Sequence, residues 1–282
     1  MEGLTQLEKE LVAIFLVVGL IFVIAKVIYE RSAKERFTLS NILHPVKKIT
    51  ATERQFIAQF LKPFDDLNPK QRKTFLARFA WFKSKKHFVF YGNIRNMEEI
   101  KAYVTASAIL LTLGMVNYRF ERSIRRVIVY PSQYYSRISR NHHIGEYNPR
   151  LRTLVFSAEG LKDGFSIPND NVNLGIHEVA HALMIETFRK PSFEARRFQM
   201  GLAKIKELYD SEAFAERLAF STYFREYGKT NFVEFFAVLA ENFVETPIEF
   251  KQQFPQLYEL VRIMLNMDLN DVGWRVKNQP WN

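Results

Sequence analysis

Apolar and polar positions along the chain fall into three regimes. Residues 11–25 read LVAIFLVVGLIFVIA, with no charge and no proline, and after Lys26 the apolar character continues through Tyr29. An all-round apolar run of about 20 residues matches the thickness of a bilayer core. Residues 11–29 are therefore predicted to form one transmembrane helix, with Lys26 reaching toward the interface. A cleaved signal peptide would begin basic and end in small residues. This segment begins acidic, with Glu2, Glu8 and Glu10 against Lys9, and ends in bulky side chains. Cations crowd its far side at Lys26, Arg31, Lys34, Arg36, Lys47 and Lys48. The positive-inside rule then predicts a single-pass protein of the cell (inner) membrane, N-terminus outside and the rest cytoplasmic. Residues 1–10 form a short tail. Residues 30–51 form a basic linker, broken by Pro45, that would lie against anionic headgroups.

From residue 52 the apolar period becomes helical. TERQFIAQFLKPF opens on Thr52 as a capping-box residue and sets Phe56, Ile57, Phe60 and Leu61 on one face. NPKQRKTFLARFAWFKSK has Asn68 as N-cap and Pro69 at its first position. MEEIKAYVTASAILLTLG reads as a third helix ending near Gly114, and the three helices are expected to form a bundle. The period then changes to that of strands at Val127–Tyr130 and at Leu154–Ser157, the second followed by a turn containing Gly and Asp. Further helices are predicted over VNLGIHEVAHALMIETFRK, over residues 193–225 in two pieces, from Asn231 to Pro247, and over PQLYELVRIMLNM. SRNHHIGEYNP, with His142 and His143, reads as a surface loop. The fold class is α+β, mostly helical with a small sheet. Residues 52–282 form one domain, with a helical part at 52–115 and a chemistry-bearing part at 116–282.

Composition narrows the chemistry. The 282 residues are 48% hydrophobic and 15% aromatic, which argues against disorder. There is no cysteine, so disulfides, thiolate metal sites and cysteine nucleophiles are excluded. The net charge of +10 favours contact with anionic surfaces. No basic-plus-aromatic nucleic-acid motif accompanies it, so nucleic acid is not an expected partner. The arginines at 119, 122, 125 and 126 read as a solvated face.

The stretch NVNLGIHEVAHALMIE holds His177, Glu178 and His181 as His-Glu-x-x-His. On a helix, residues four apart share a face, so both imidazoles can meet one ion. Glu178 can then reach a water on that ion. Such a site needs a third protein ligand. No histidine follows His181, so that ligand is a carboxylate. Glu234, Glu241 and Glu245 in EYGKTNFVEFFAVLAENFVETP are the candidates, on a helix whose phenylalanines mark it as buried. A buried carboxylate needs a partner, and a cation is a good one.

YGKTNFVEFFAVLAENF, NLGIHEVAH and IRRVIVYPSQY together resemble the Mlc titration factor A family of zinc metallopeptidases. The Tyr-to-Glu spacing also resembles the gluzincin-like catalytic domain of anthrax lethal factor. The resemblance spans residues 53–268. It implies one Zn2+ per chain held by His177, His181 and Glu234, with Glu178 as general base and Tyr227 as oxyanion donor. It implies a supporting role for Glu241, and for Asn173 either the cap of the motif helix, the favoured reading, or a similar supporting role behind the ligands. It also implies that Leu154, Val155, Phe156 and Ser157 form an edge strand for an extended peptide substrate. Two departures stand out. Met184 occupies a position where many members carry an acid, and the best-known members are soluble proteins, unlike the anchored form expected here. The expected function is membrane-anchored, zinc-dependent hydrolysis of a peptide or protein. The alternative is a binding protein that sequesters a transcriptional regulator.

Overall fold

The computed structural model describes residues 6–31, 45–60, 64, 67–117, 119–136, 140–167 and 169–269. The side chains of residues 9, 26–31, 52, 59 and 60 lie outside that description. The chain divides into two units, Met1–Ile42 and Leu43–Asn282.

The first unit carries helix α1, Gln6–Arg31. Its large apolar side chains from Leu7 to Ile24 are exposed; Phe15 is 83% accessible. Among the described residues no helix is long and apolar enough to cross a membrane. The charge-free apolar run within α1 covers residues 11–25 and is closed by Lys26, whereas the segment expected to span extends to residue 29.

The second unit begins with α2, Ala51–Phe60. Its cap differs from the expected Thr52. Thr50 Oγ1 accepts from the Glu53 amide at 3.2 Å, and Glu53 Oε2 accepts from the Thr50 amide at 2.8 Å. The spacing Thr50-x-x-Glu53 is the capping box, which satisfies two orphan donors reciprocally. Helix α3, Pro69–Lys85, is capped by Asn68 and Gln71 in the same reciprocal way, with Pro69 leading. Helix α4, Met97–Thr112, is buried from Ala102 onward. Arg78 Nη1 donates to its terminal carbonyls at Thr112 (2.7 Å) and Leu113 (3.1 Å), groups that no helical partner can satisfy.

Among the described residues six strands occur, β1 (His87–Phe90), β2 (Arg126–Tyr130), β3 (Tyr134–Ser136), β4 (Asn141–His143), β5 (Gly145–Asn148) and β6 (Thr153–Ser157). One sheet has the order β1-β2-β6-β5; β1, β2 and β6 are parallel and β5 runs antiparallel. Strands β3 and β4 pair separately as a hairpin, so the expected loop around His142 and His143 is ordered strand. Leu154, Val155, Phe156 and Ser157 do not form an edge. Leu154 sits between Val127 and Tyr147, and the whole strand is paired on both sides. The edge on this side is β5, whose GEYN lacks the alternation that marks a strand.

Helix α5, Ala158–Ser166, starts directly after β6 where a turn was expected, with Ser157 Oγ accepting from the Gly160 amide at 3.0 Å. Helices α6 (Leu174–Arg189), α7 (Phe193–Tyr209), α8 (Glu212–Phe220), α9 (Phe232–Glu245), α10 (Pro247–Gln253) and α11 (Pro255–Leu265) follow among the described residues. Pro247 ends one helix and begins the next, a position where its missing N–H costs nothing. The motif helix α6 lies against α4, α5, α9 and β5. Its approach to α4 is close: a Cβ on Gly175 would stand 2.3 Å from Ser107 Oγ.

Candidate metal centre

Helix α6 starts where Asn173 Oδ1 accepts from the Ile176 amide at 3.1 Å, so Asn173 is its N-cap. Asn173 Nδ2 also donates to Gly164 O (2.7 Å) and Glu245 Oε1 (3.1 Å), which ties the helix start to α5 and α9. With the start fixed, His177 and His181 lie one turn apart on the same face. Their Nε2 atoms are 3.2 Å apart.

Helix α9 brings the carboxylate. Asn231 caps it, its Oδ1 accepting from the amides of Val233 (3.0 Å) and Glu234 (3.1 Å). Glu234 Oε2 then stands 3.0 Å from His177 Nε2 and 3.3 Å from His181 Nε2. The three ligand atoms form a nearly equilateral triangle. Tetrahedral ligands 2.0–2.1 Å from a zinc ion are separated by about 3.3 Å, so the spacing fits one such ion. Among the described residues this is the group that could hold a metal.

Glu241, two turns further along α9, is fully buried and approaches the other face of His177. His177 Nδ1 lies 2.6 Å from Glu241 Oε1. So short a contact to a carboxylate holds a proton on Nδ1, so that Nε2, which faces Glu234 in the ion-free site, is the nitrogen available to an ion. Arg225 Nη2 donates to both Glu241 oxygens, at 2.6 and 2.5 Å, and the Asn173 backbone adds a further hydrogen bond. Glu241 is therefore a support for His177 rather than a member of the triangle. His181 has no equivalent among the described residues, where its buried Nδ1 finds no hydrogen-bond partner. Met184, one turn beyond His181 and carrying no acceptor of comparable strength, is consistent with that gap.

The electrostatics favour a cation. Burial pushes the Glu178 carboxyl up, against the pull of His177 and His181. Burial also pushes Glu241 up, despite His177 and Arg225. On Glu234 burial acts upward too, but the hydrogen bonds from the two imidazoles win and hold it far below the usual carboxylate range. Burial would lower His177, yet its bonds to Glu234 and Glu241 raise it to about 9. Three carboxylates thus converge on two imidazoles, and without an ion the site retains a proton on His177. A divalent cation held by His177, His181 and Glu234 would supply that positive charge.

Two further groups border the site. The 3-10 turn Glu226–Lys229 presents Tyr227, whose ring centroid is 5.6 Å from that of His177. Tyr227 is half exposed, and partial burial, reinforced by Glu234 and Glu178, raises its hydroxyl to about 12. Strand β5 presses on the base: a Cβ on Gly145 would lie 3.0 Å from Glu178 Oε1 and 2.5 Å from Leu174 Cδ1. Arg225 also lines a polar cavity of about 720 Å³ together with Asn171, Arg217, Tyr223 and Glu249, outside the triangle. Neither Arg225 nor Gly145 carries a signal in sequence, because each owes its position to a long-range contact. Glu245 belongs to the Asn173 cap and not to the triangle.

A helix bearing His-Glu-x-x-His with a glutamate from a second helix defines a metallopeptidase class of site. The comparisons agree. The chain belongs to the glucose-regulated metallo-peptidase M90 family, whose model matches residues 35–264. This is the family of the Mlc titration factor, to which the three sequence segments point. The chain is also 23% identical over 222 residues to an uncharacterized protein of Synechocystis sp., covering 71% of this chain and 78% of that protein.

Proposed function

We propose that the protein is a zinc-dependent peptidase, with His177, His181 and Glu234 as the metal ligands. The observation that carries this reading is the triangle of ligand atoms with edges of 3.0, 3.2 and 3.3 Å. When bound there, zinc would supply Lewis acidity and would make a water easier to deprotonate. Glu178, buried and raised, takes a proton from the attacking water and returns it to the departing amine. Tyr227 donates to the developing oxyanion. Glu241 and Arg225 keep the His177 ring in its ligating tautomer. An extended peptide would pair with β5, the strand against Glu178, by main-chain hydrogen bonds.

Glu178→Gln tests this reading. The variant should keep about one zinc per chain, as a single three-ligand site requires, and lose at least about 100-fold in cleavage of fluorogenic peptides. Full cleavage by that variant, or zinc retained by Glu234→Ala, would remove the assignment. We also propose that α1 anchors the chain, N-terminus outside and the peptidase unit cytoplasmic. The charge-free residues 11–25, the exposed apolar side chains and the cations that follow support it. Release of the full chain from membranes by alkaline carbonate would refute the anchor.

A further inference from the structure

The end of the sheet opposite the candidate metal centre carries an excess of arginine. Glu178 packs against Gly145 at the start of β5, beside the C-terminal ends of the parallel strands. At their N-terminal ends, about 13 Å away for a five-residue strand, the Arg125 and Arg126 amides donate to Arg152 O at 2.8 and 3.2 Å. Arg150 lies in the same turn. Arg189, at the end of α6, donates to Pro149 O at 3.3 Å and to Arg122 O at 3.2 Å. Backbone and side-chain contacts thus gather Arg122, Arg125, Arg126, Arg150, Arg152 and Arg189 on one surface, and all but the half-buried Arg152 are exposed.

Among the described residues none of the six forms an ion pair with a carboxylate. The nearby acids are engaged elsewhere. Glu121 lies 3.8 Å from both Arg119 and Lys190. Glu186 is buried and accepts from the Arg122 amide, the Ser123 amide and Ser123 Oγ at 2.8–2.9 Å. Six guanidinium groups without counter-charge repel one another until an anionic surface covers them. Two exposed apolar side chains adjoin these arginines in the chain: Leu151, in the turn between Arg150 and Arg152, is 64% exposed, and Phe188, next to Arg189, is 78% exposed. A phosphate backbone has no use for such side chains. The interface of a bilayer has, because it takes apolar tips below a layer of phosphate.

We propose that this arginine-rich end of the sheet is a docking surface for anionic lipid headgroups, with Leu151 and Phe188 entering the interface. It is independent of the peptidase reading and of whether α1 spans, since it is a separate contact made by the second unit. It would hold the unit with its metal centre turned away from the lipid.

The absence of cysteine makes the test direct. The full chain with Leu151→Cys carries one environment-sensitive dye. Vesicles with about a third phosphatidylglycerol should shift its emission to the blue, and high salt should reverse the shift by screening. Neutral phosphatidylcholine vesicles should leave it unchanged, even if α1 inserts into them. Arg125→Glu, Arg126→Glu and Arg150→Glu together should weaken the lipid-dependent shift on the order of 100-fold. The three Lys replacements should retain it. Equal emission on neutral and anionic vesicles would overturn the proposal. So would a shift produced by duplex DNA or RNA without lipid, which would assign the surface to nucleic acid.

Discussion

Replacing Arg225 by Met tests how the candidate metal centre is held together. Met keeps an apolar stem and removes the guanidinium that contacts both oxygens of Glu241. Glu241 has no solvent exposure, so its charge would be left with His177 and one backbone amide. Breaking a fully buried ion pair from one side costs about 3–5 kcal/mol. Arg225 is a third exposed, so water can partly replace it, and about 2–3 kcal/mol is the expected loss for the metal-free protein. Glu241 responds by taking up a proton, which weakens its hold on His177 Nδ1. Loss of such a support lowers metal affinity by about 10–100-fold. Urea unfolding in the presence of a chelator reads the first quantity, and competition with a chromophoric zinc chelator reads the second. Glu241→Gln and the double variant complete a cycle, with a coupling of at least about 1 kcal/mol expected for groups in contact. Additive effects, with zinc affinity changed less than about twofold, would refute the relay from Arg225 through Glu241 to His177.

Other perturbations read neighbouring parts of the structure. Gly145→Ala places a methyl group 2.5 Å from Leu174 Cδ1 and 3.0 Å from Glu178 Oε1. It should cost about 1–3 kcal/mol by overpacking and lower kcat while zinc binding survives, and Leu174→Ala in the same chain should restore part of both. An unchanged kcat would show that β5 does not set the position of Glu178. Tyr227→Phe should lower kcat by about 100–1,000-fold with KM and zinc content nearly unchanged; loss of zinc would make Tyr227 structural. Glu245 is raised to about 7, chiefly by burial, and one of its oxygens has no partner. Its ionised form is thus disfavoured in the fold. The cost is absent below the unfolded value of 4.5, grows as pH rises to 7, and is complete above that. Glu245→Gln should stabilise the protein by about 1–2 kcal/mol at pH 8, after allowance for solvent, and hardly at all near pH 4.5. Chemical denaturation at the two pH values checks this, and an equal gain at both would contradict it.

Much of the fold follows from local chemistry. The period of 3.6 and the caps at Asn68, Asn173 and Asn231 set helices that form as expected, because a cap and an apolar stripe are properties of neighbouring residues. The strands at Val127 and Leu154 were legible for the same reason. Strand β5 was not. GEYN gains its strand geometry from pairing with β6, so Gly145 could not be read as the residue against Glu178. The same holds for the edge of the sheet, since strand order is decided by contacts between segments distant in sequence.

The sequence by itself determined that His177 and His181 share one face of a helix with Glu178 beside them, because four residues make about one turn. It also limited the third ligand to a carboxylate, because no later histidine exists. The residue pattern alone left Glu234 and Glu241 open and the family resemblance pointed to Glu234; the tertiary structure shows the geometry that divides them. Seven residues apart on α9, they share a helix face, and the crossing of α6 over α9 brings one to Nε2 of His177 and the other to Nδ1. That crossing depends on side-chain packing over the whole interface, which no local pattern encodes.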